Sequence, residues 1–482
     1  MAHLFQRKRN LLPLVFALIA PAPAVADDYI WTSTGSGTWS DDWHIPGQGF
    51  PNANDVNAII SLTGSANLDM AVDGHYTVND LTVNTDAGNQ HVHFVNPDDG
   101  DYSLTINGTL TKSENGNTLS FREMDVTVGT VDLTRGRISF GRNDGGRFVY
   151  NLTVTEGINM TNENFDAELR LNILNDYQLG LLTFGGSHAQ DIYLINNNSS
   201  SSGRVRTATV SGISQAEGDN ATIYGSLQTS GQLNEATLRI EAENDYTAST
   251  RLVDGTGGQL SLVMSGQGTQ TLTGTSSYTG TTTISAGTLV IDGDHSAATG
   301  DVTVQAGGTL GGSGTIGGAV TVEDGGNYNA GNSAGVQTFT QGLALDAGST
   351  FTWELMADSA SDRGVNFDGV DIVGGSLAIV AGATSNLVFN ADGSTVDFTS
   401  AFWQNGQSWL VVEGVSPAIV DSLDVFDTIN VSQDSNGLDF STTGGYFVWE
   451  VEGDDLYLHY IPEPGTLGLS GLGAMLLLRR MR

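Results

Sequence analysis

Between residues 257 and 350 the chain repeats itself at a nearly constant interval. Val302-Thr303-Val304-Gln305-Ala306-Gly307-Gly308-Thr309-Leu310 returns 18 residues later as Val320-Thr321-Val322-Glu323-Asp324-Gly325-Gly326-Asn327-Tyr328. Thr283-Ile284-Ser285-Ala286-Gly287-Thr288-Leu289 has the same outline about 20 residues upstream. Each unit is a short apolar-Thr-apolar alternation bounded by glycine, which is the pattern of a half-buried strand followed by a turn. A unit that short cannot bury its apolar face alone, so the units must stack, coil upon coil, ~4.8 Å apart. Val, Ile and Leu then point inward, Thr points outward, and glycines turn the corners, where the backbone needs positive φ or close approach to the next coil. Val304 and Val322 are expected as stacked inward neighbours. The same short runs occur elsewhere, as Leu104-Thr105-Ile106, Val126-Thr127-Val128 and Leu152-Thr153-Val154. The fold class is therefore all-β, a right-handed parallel β-helix with aromatic capping regions, and helices are expected only at the two termini.

Both termini read as targeting segments. Arg7, Lys8 and Arg9, the apolar run Leu11 to Ala20, and the small residues Ala24 and Ala26 before Asp27 are the parts of a secretory signal peptide. At the other end come Pro462, Glu463 and Pro464, then an apolar run from Leu467 to Leu478, then Arg479, Arg480 and Arg482. That run is shorter than the ~20 residues of an ordinary spanning helix, and the arginines favour the cytoplasmic side. The three-part order resembles the PEP-CTERM sorting signal of Gram-negative bacteria. The resemblance implies export, retention by the tail anchor Leu467 to Arg482, and processing at the triplet by an exosortase, a membrane transpeptidase-like enzyme. It covers the tail alone and speaks of address rather than activity.

The expected organisation is a signal peptide (1–26), an N-terminal cap and β-helix region (27–195), a loop and continuing β region (196–256), the repeats (257–350), a C-terminal β region (351–460) and the sorting tail (461–482). Asn196-Asn197-Asn198 with Ser199 to Ser202 marks the best internal boundary. Within the repeats, Gly274-Thr275-Ser276-Ser277-Tyr278-Thr279-Gly280 followed by Ala286-Gly287-Thr288-Leu289 resembles the autotransporter-associated β-strand repeat, which marks β-helical passenger domains. Ala306 to Ile316 and Asn329 to Gly335 fit similar coils. An autotransporter passenger is followed by an outer-membrane barrel, whereas here the Pro-Glu-Pro tail occupies that end, so the resemblance implies fold and not self-export.

Charge narrows the partners. The whole chain has 18 basic and 54 acidic residues; setting aside six basic residues and Glu463 in the two terminal segments leaves 12 against 53, a net of −41. Such a surface repels phosphate backbones, which argues against nucleic acid, while it offers calcium a loose hold. There is no cysteine, hence neither disulfide nor thiol chemistry.

Candidate chemistry is sparse. Trp31, Trp39 and Trp43 suit a cap over the open first coil, or alternatively a platform on which sugar rings stack; Trp403 and Trp409 beside Phe402 suit the opposite end. Gly312-Ser313-Gly314-Thr315-Ile316-Gly317 has the spacing of a dinucleotide loop, but a strand follows where a helix N-terminus is needed, so it reads as a coil corner. His91 and His93 flank Val92 and would share a strand face, as a metal pair requires, without a third ligand nearby. Asp358, Asp362, Asp368 and Asp371 are acidic enough for calcium but lack its regular loop spacing. No catalytic, cofactor or metal residue is assigned. The sequence thus describes a non-enzymatic structural or adhesive surface protein, exported and envelope-held before release, with extracellular polysaccharide as a candidate partner. The alternative is a β-helical polysaccharide-binding protein, lyase or hydrolase, for which Arg135, Arg137, Arg142, Arg147 and Arg170 leave room in the first half.

Overall fold

The computed structural model describes residues 27–463 except 32–35, 42, 44–48, 63–66, 86–89, 114–117, 142–147, 162–164, 197–204, 216–219, 228–234, 257, 332, 415–418 and 421–424. The expected signal helix with Ala24 and Ala26, and the tail from Pro464 through Leu467 and Leu478 to Arg479, Arg480 and Arg482, lie outside the described residues. Among the described residues no helix is long and apolar enough to cross a membrane. Two 3-10 turns, Ala401–Gln404 and Phe440–Thr443, are the helical elements described.

The chain is a parallel β-helix. One long sheet runs from Asp27–Trp31 to Ile419–Val420, each strand pairing in parallel with its counterpart one coil on. Alternation explains why these segments are strands. In Val56–Leu62 every second side chain is buried, and the same holds in Leu260–Gly266 as far as Met264. In the repeats, Ile284 pairs with Val304 and Val304 with Val322, all three fully buried, while Thr283, Thr303 and Thr321 share the outward row. Burying each such side chain contributes ~1.5–3 kcal/mol.

The cross-section changes along the axis. In the first half each coil folds between the long sheet and a second sheet, which runs from Gly37–Thr38 to Arg251–Val253. A third sheet begins at Tyr246–Ala248 and a fourth at Asp294–His295, so later coils have three sides. The near-20-residue period belongs to the repeats: Leu262 pairs with Thr282 and Thr282 with Val302, but Leu181 pairs with Gly212 and Leu343 with Leu377. In the coil from Leu343 to Leu377 the excess lies between Thr350–Glu354 and Gly369–Ile372, and the strands on either side keep their ladder partners.

Both ends are filled with aromatics. Trp31, Trp39 and Trp43 are buried against one another, with Trp39 and Trp43 centroids 5.2 Å apart, and Trp39 Nε1 donates to the Pro51 carbonyl. They close the first coil, and their buried faces offer no platform for sugar. At the far end, Asp455–Ile461 pairs antiparallel with Gln407–Glu413 and with Tyr446–Glu452. This hairpin ends the parallel ladder over a cluster of Trp353, Phe389, Trp403, Trp409, Phe447 and Tyr460, and the Tyr460 hydroxyl donates to the Trp403 carbonyl at 2.9 Å.

Candidate functional site

Most of the surface is acidic, and one face departs from that. On the second sheet, parallel register places side chains in two rows along the axis on the face away from the core, in which Ser120, Ser139 and Thr222 are covered by their neighbours. His93, Ser120, Ser139, Arg170, Tyr193 and Tyr224 form one row; His91, Thr118, Arg137, Glu168, Asp191, Thr222 and Arg251 form the other. Between them stand inward residues, among them Phe94, Phe121 and Phe140, whose rings stack at 5.1 Å centroid spacing and fix the coils beneath. Rigid strands rather than loops therefore carry this face.

Its polar groups interlock. Glu168 receives Arg137 Nε at 2.7 Å on one oxygen and Arg170 on the other. The Arg170 guanidinium lies 5.5 Å from the Tyr193 ring, and Tyr193 stacks on Tyr224 at 4.5 Å. Arg135 sits over Phe165 at 3.2 Å, extending the same mixture of cations and rings. A shallow cleft of about 300 Å³ is lined by His91, Thr118, Gly136, Arg137, Asp166 and Glu168. Burial, then the Glu168 and Asp166 charges, push the Asp191 carboxyl up to about 6 against the pull of Arg251. Burial, reinforced by Arg137 and Arg122, holds the His91 imidazole below its usual range. The face thus presents donors and acceptors in balanced charge, beside aromatic edges.

The residues singled out in the sequence take separate places. His91 and His93 do share a face, their rings 5.6 Å apart, but the Arg122 guanidinium lies 2.9 Å from His93 Nδ1, and a cation there opposes a metal ion. The four aspartates are not gathered. Asp358 accepts from Trp403 Nε1 and Ser400, Asp371 pairs with Arg363, Asp362 turns a loop with φ of 64°, and Asp368 is buried. Asp368 accepts the Gly335 and Glu354 amides, and burial, then the Glu354 charge, raises its pKa well above the usual range. Gly312 to Gly317 is a coil corner, with two strands meeting at Ser313 and Gly314. A larger cleft of about 460 Å³ near Ser333, Met356, Val365 and Asn366 holds no titratable side chain. Asp27 opens the first strand, paired with Val56, and Glu463 donates its amide to the Gly444 carbonyl.

Sequence reading missed the outward rows, because their members stand 19 to 31 residues apart at irregular spacing. It also missed the hairpin residues Glu450, Glu452 and His459, whose ligand atoms converge to within 4.8 Å.

Stacked parallel coils of this kind, with glycine corners and an outward polar face, define a β-solenoid. Residues 262–291 match the passenger-associated transport repeat. The adhesin BmaC autotransporter of Brucella suis biovar 1 (strain 1330) is 42% identical over 89 residues, which cover 18% of this chain and 3% of that protein.

Proposed function

We propose that this chain is an exported, adhesive β-helical surface protein that holds extracellular polysaccharide along the outer face of its second sheet and catalyses no reaction. The observation that carries the reading is that face: in a strongly acidic chain, it is where Arg137, Arg170, Glu168 and Asp191 balance charge beside the stacked Tyr193 and Tyr224. Carboxylate and guanidinium pairs suit hydroxyl-rich ligands, and side-chain rows repeating every ~4.8 Å along the axis suit a linear polymer. The likeness to an adhesin supports the surface and adhesive part. Full-length protein on plates coated with a neutral glucan or a uronate polymer tests it. Retention on the glucan is expected, with loss in the double variant Tyr193→Ala, Tyr224→Ala and in Arg137→Ala. No retention, equal retention by the variants, or shortening of the polymer during incubation would contradict the reading.

The same proposal includes the route. The last strand ends at Ile461, so a cut at Pro462-Glu463-Pro464 would leave the closing hairpin whole. A sorting enzyme of the exosortase kind is the proposed partner, with the segment from Leu467 to Arg482 as the membrane hold. Replacing the triplet by alanine in a host with such an enzyme should leave an unprocessed, membrane-held form. Normal processing of that variant would reduce the tail to a plain anchor.

A further inference from the structure

Outside the second sheet, one cluster joins nitrogen and oxygen ligands. Glu450 and Glu452 stand two apart on Tyr446–Glu452, so both project from one face. In the antiparallel pairing Val448 faces His459 and Glu452 faces Asp455, which brings His459 to the same outer face. One ligand atom from each of Glu450, Glu452 and His459 lies within 4.8 Å of the others. We propose that these three side chains bind a first-row divalent cation, zinc foremost.

Two observations besides proximity point to a cation. His459 Nε2 is shielded from solvent and makes no hydrogen bond, although it faces Glu452 Oε1 at 3.5 Å. With only the Glu452 carboxylate beside it, at ion-pair rather than hydrogen-bond distance, that nitrogen would give its lone pair to a cation shared with Glu452. The ring is also held in place: Tyr457 stacks on it at 5.9 Å with 17° between the planes. Ligands held in place by neighbours, on paired strands rather than a loop, are what a metal site needs. The convergence of two carboxylates further favours a positive charge between them.

The donor set chooses among cations. Calcium and magnesium prefer all-oxygen shells, whereas one imidazole and two carboxylates suit zinc, with a fourth position left to water. A cation here would tie the two strands of the hairpin that closes the solenoid.

Calorimetric titration of chelator-treated, untagged full-length protein with zinc chloride tests the proposal. One equivalent should bind, and the thermal midpoint should rise with zinc concentration. His459→Ala and Glu452→Gln should each weaken binding by more than the ~10–100-fold typical of losing an outer-shell partner. Asp301→Asn, an exposed carboxylate elsewhere, should bind as the wild type does. Should His459→Ala not fold, Glu452→Gln decides alone, since its side chain is largely exposed. Absence of binding, equal binding by the variants, or displacement of zinc by equimolar calcium would overturn the site.

Discussion

Gly280, Gly300 and Gly318 stand one above another at a corner of the repeats. A Cβ on Gly300 would lie 1.9 Å from the Gly280 carbonyl oxygen, and one on Gly318 would lie 1.8 Å from that of Gly300. The obstacle is backbone, which cannot swing aside. Gly307 is glycine for another reason, since its φ is 85° while open space surrounds it. Gly300→Ala should therefore cost more than Gly307→Ala, for which ~1 kcal/mol is expected from the left-handed backbone alone; urea unfolding of both variants compares them, and equal costs would contradict the packing at this corner. His295 supplies a pH dependence. Its ring is buried, neither nitrogen makes a well-formed hydrogen bond, and burial lowers its pKa to about 4, with the Gly274 backbone and Asp294 only partly opposing. Unfolded histidine titrates near ~6.5. The unfolded chain thus takes up a proton that the fold refuses, so this group's full stability is present above about pH 6.5 and declines toward pH 4, by about 3 kcal/mol. Asp191 works in the opposite sense over an overlapping range, because its raised pKa makes the fold lose stability as pH rises from about 4 to about 6. Comparing His295→Leu with the wild type at pH 7 and pH 4.5 isolates the histidine: the wild type should lose more stability than the variant on acidification, and parallel losses would contradict the assignment.

At the scale of the strand, Val304 lies between Ile284 and Val322 in the inward row. Val304→Asp would place a charge among apolar neighbours and should cost several kcal/mol, read as a lowered urea midpoint; Thr303→Asp, on the outward row, should change it little. A comparable loss at both positions would mean that the row is not the core. This register was legible because constant spacing lets one coil be laid on the next by eye, and glycine corners mark where each begins. The second sheet was not legible for the converse reason. His93 meets Ser120, Arg170 meets Tyr193, and Tyr193 meets Tyr224, at three different separations. No periodicity in the chain announces such neighbours, so the arginines were visible as candidates while their partners Glu168 and Asp191 were not. The aromatic residues at the ends were legible as caps since Trp31, Trp39 and Trp43 cluster in sequence. The antiparallel closing hairpin was hidden, because its alternation in Tyr446–Glu452 and Asp455–Ile461 looks the same for either strand direction.

The second sheet passes through successive coils from Gly37–Thr38 to Arg251–Val253, so a ligand aligned with the axis along its outer face can meet many coils at once. Multiplying weak contacts along a polymer raises retention without any single strong pocket, in keeping with the shallow clefts. The acidic remainder of the surface would keep such rods apart in solution. Hydroxyl-radical footprinting of the full-length protein, with and without the neutral glucan, reads the contact face itself, because the chain carries its own reporters. Tyr193 and Tyr224 lie on the proposed contact face, whereas exposed Tyr446 lies on the closing hairpin. The glucan should shield Tyr193 and Tyr224 from oxidation and leave Tyr446 as reactive as before. Unchanged oxidation of Tyr193 and Tyr224, or shielding of Tyr446 in their place, would contradict binding at that face.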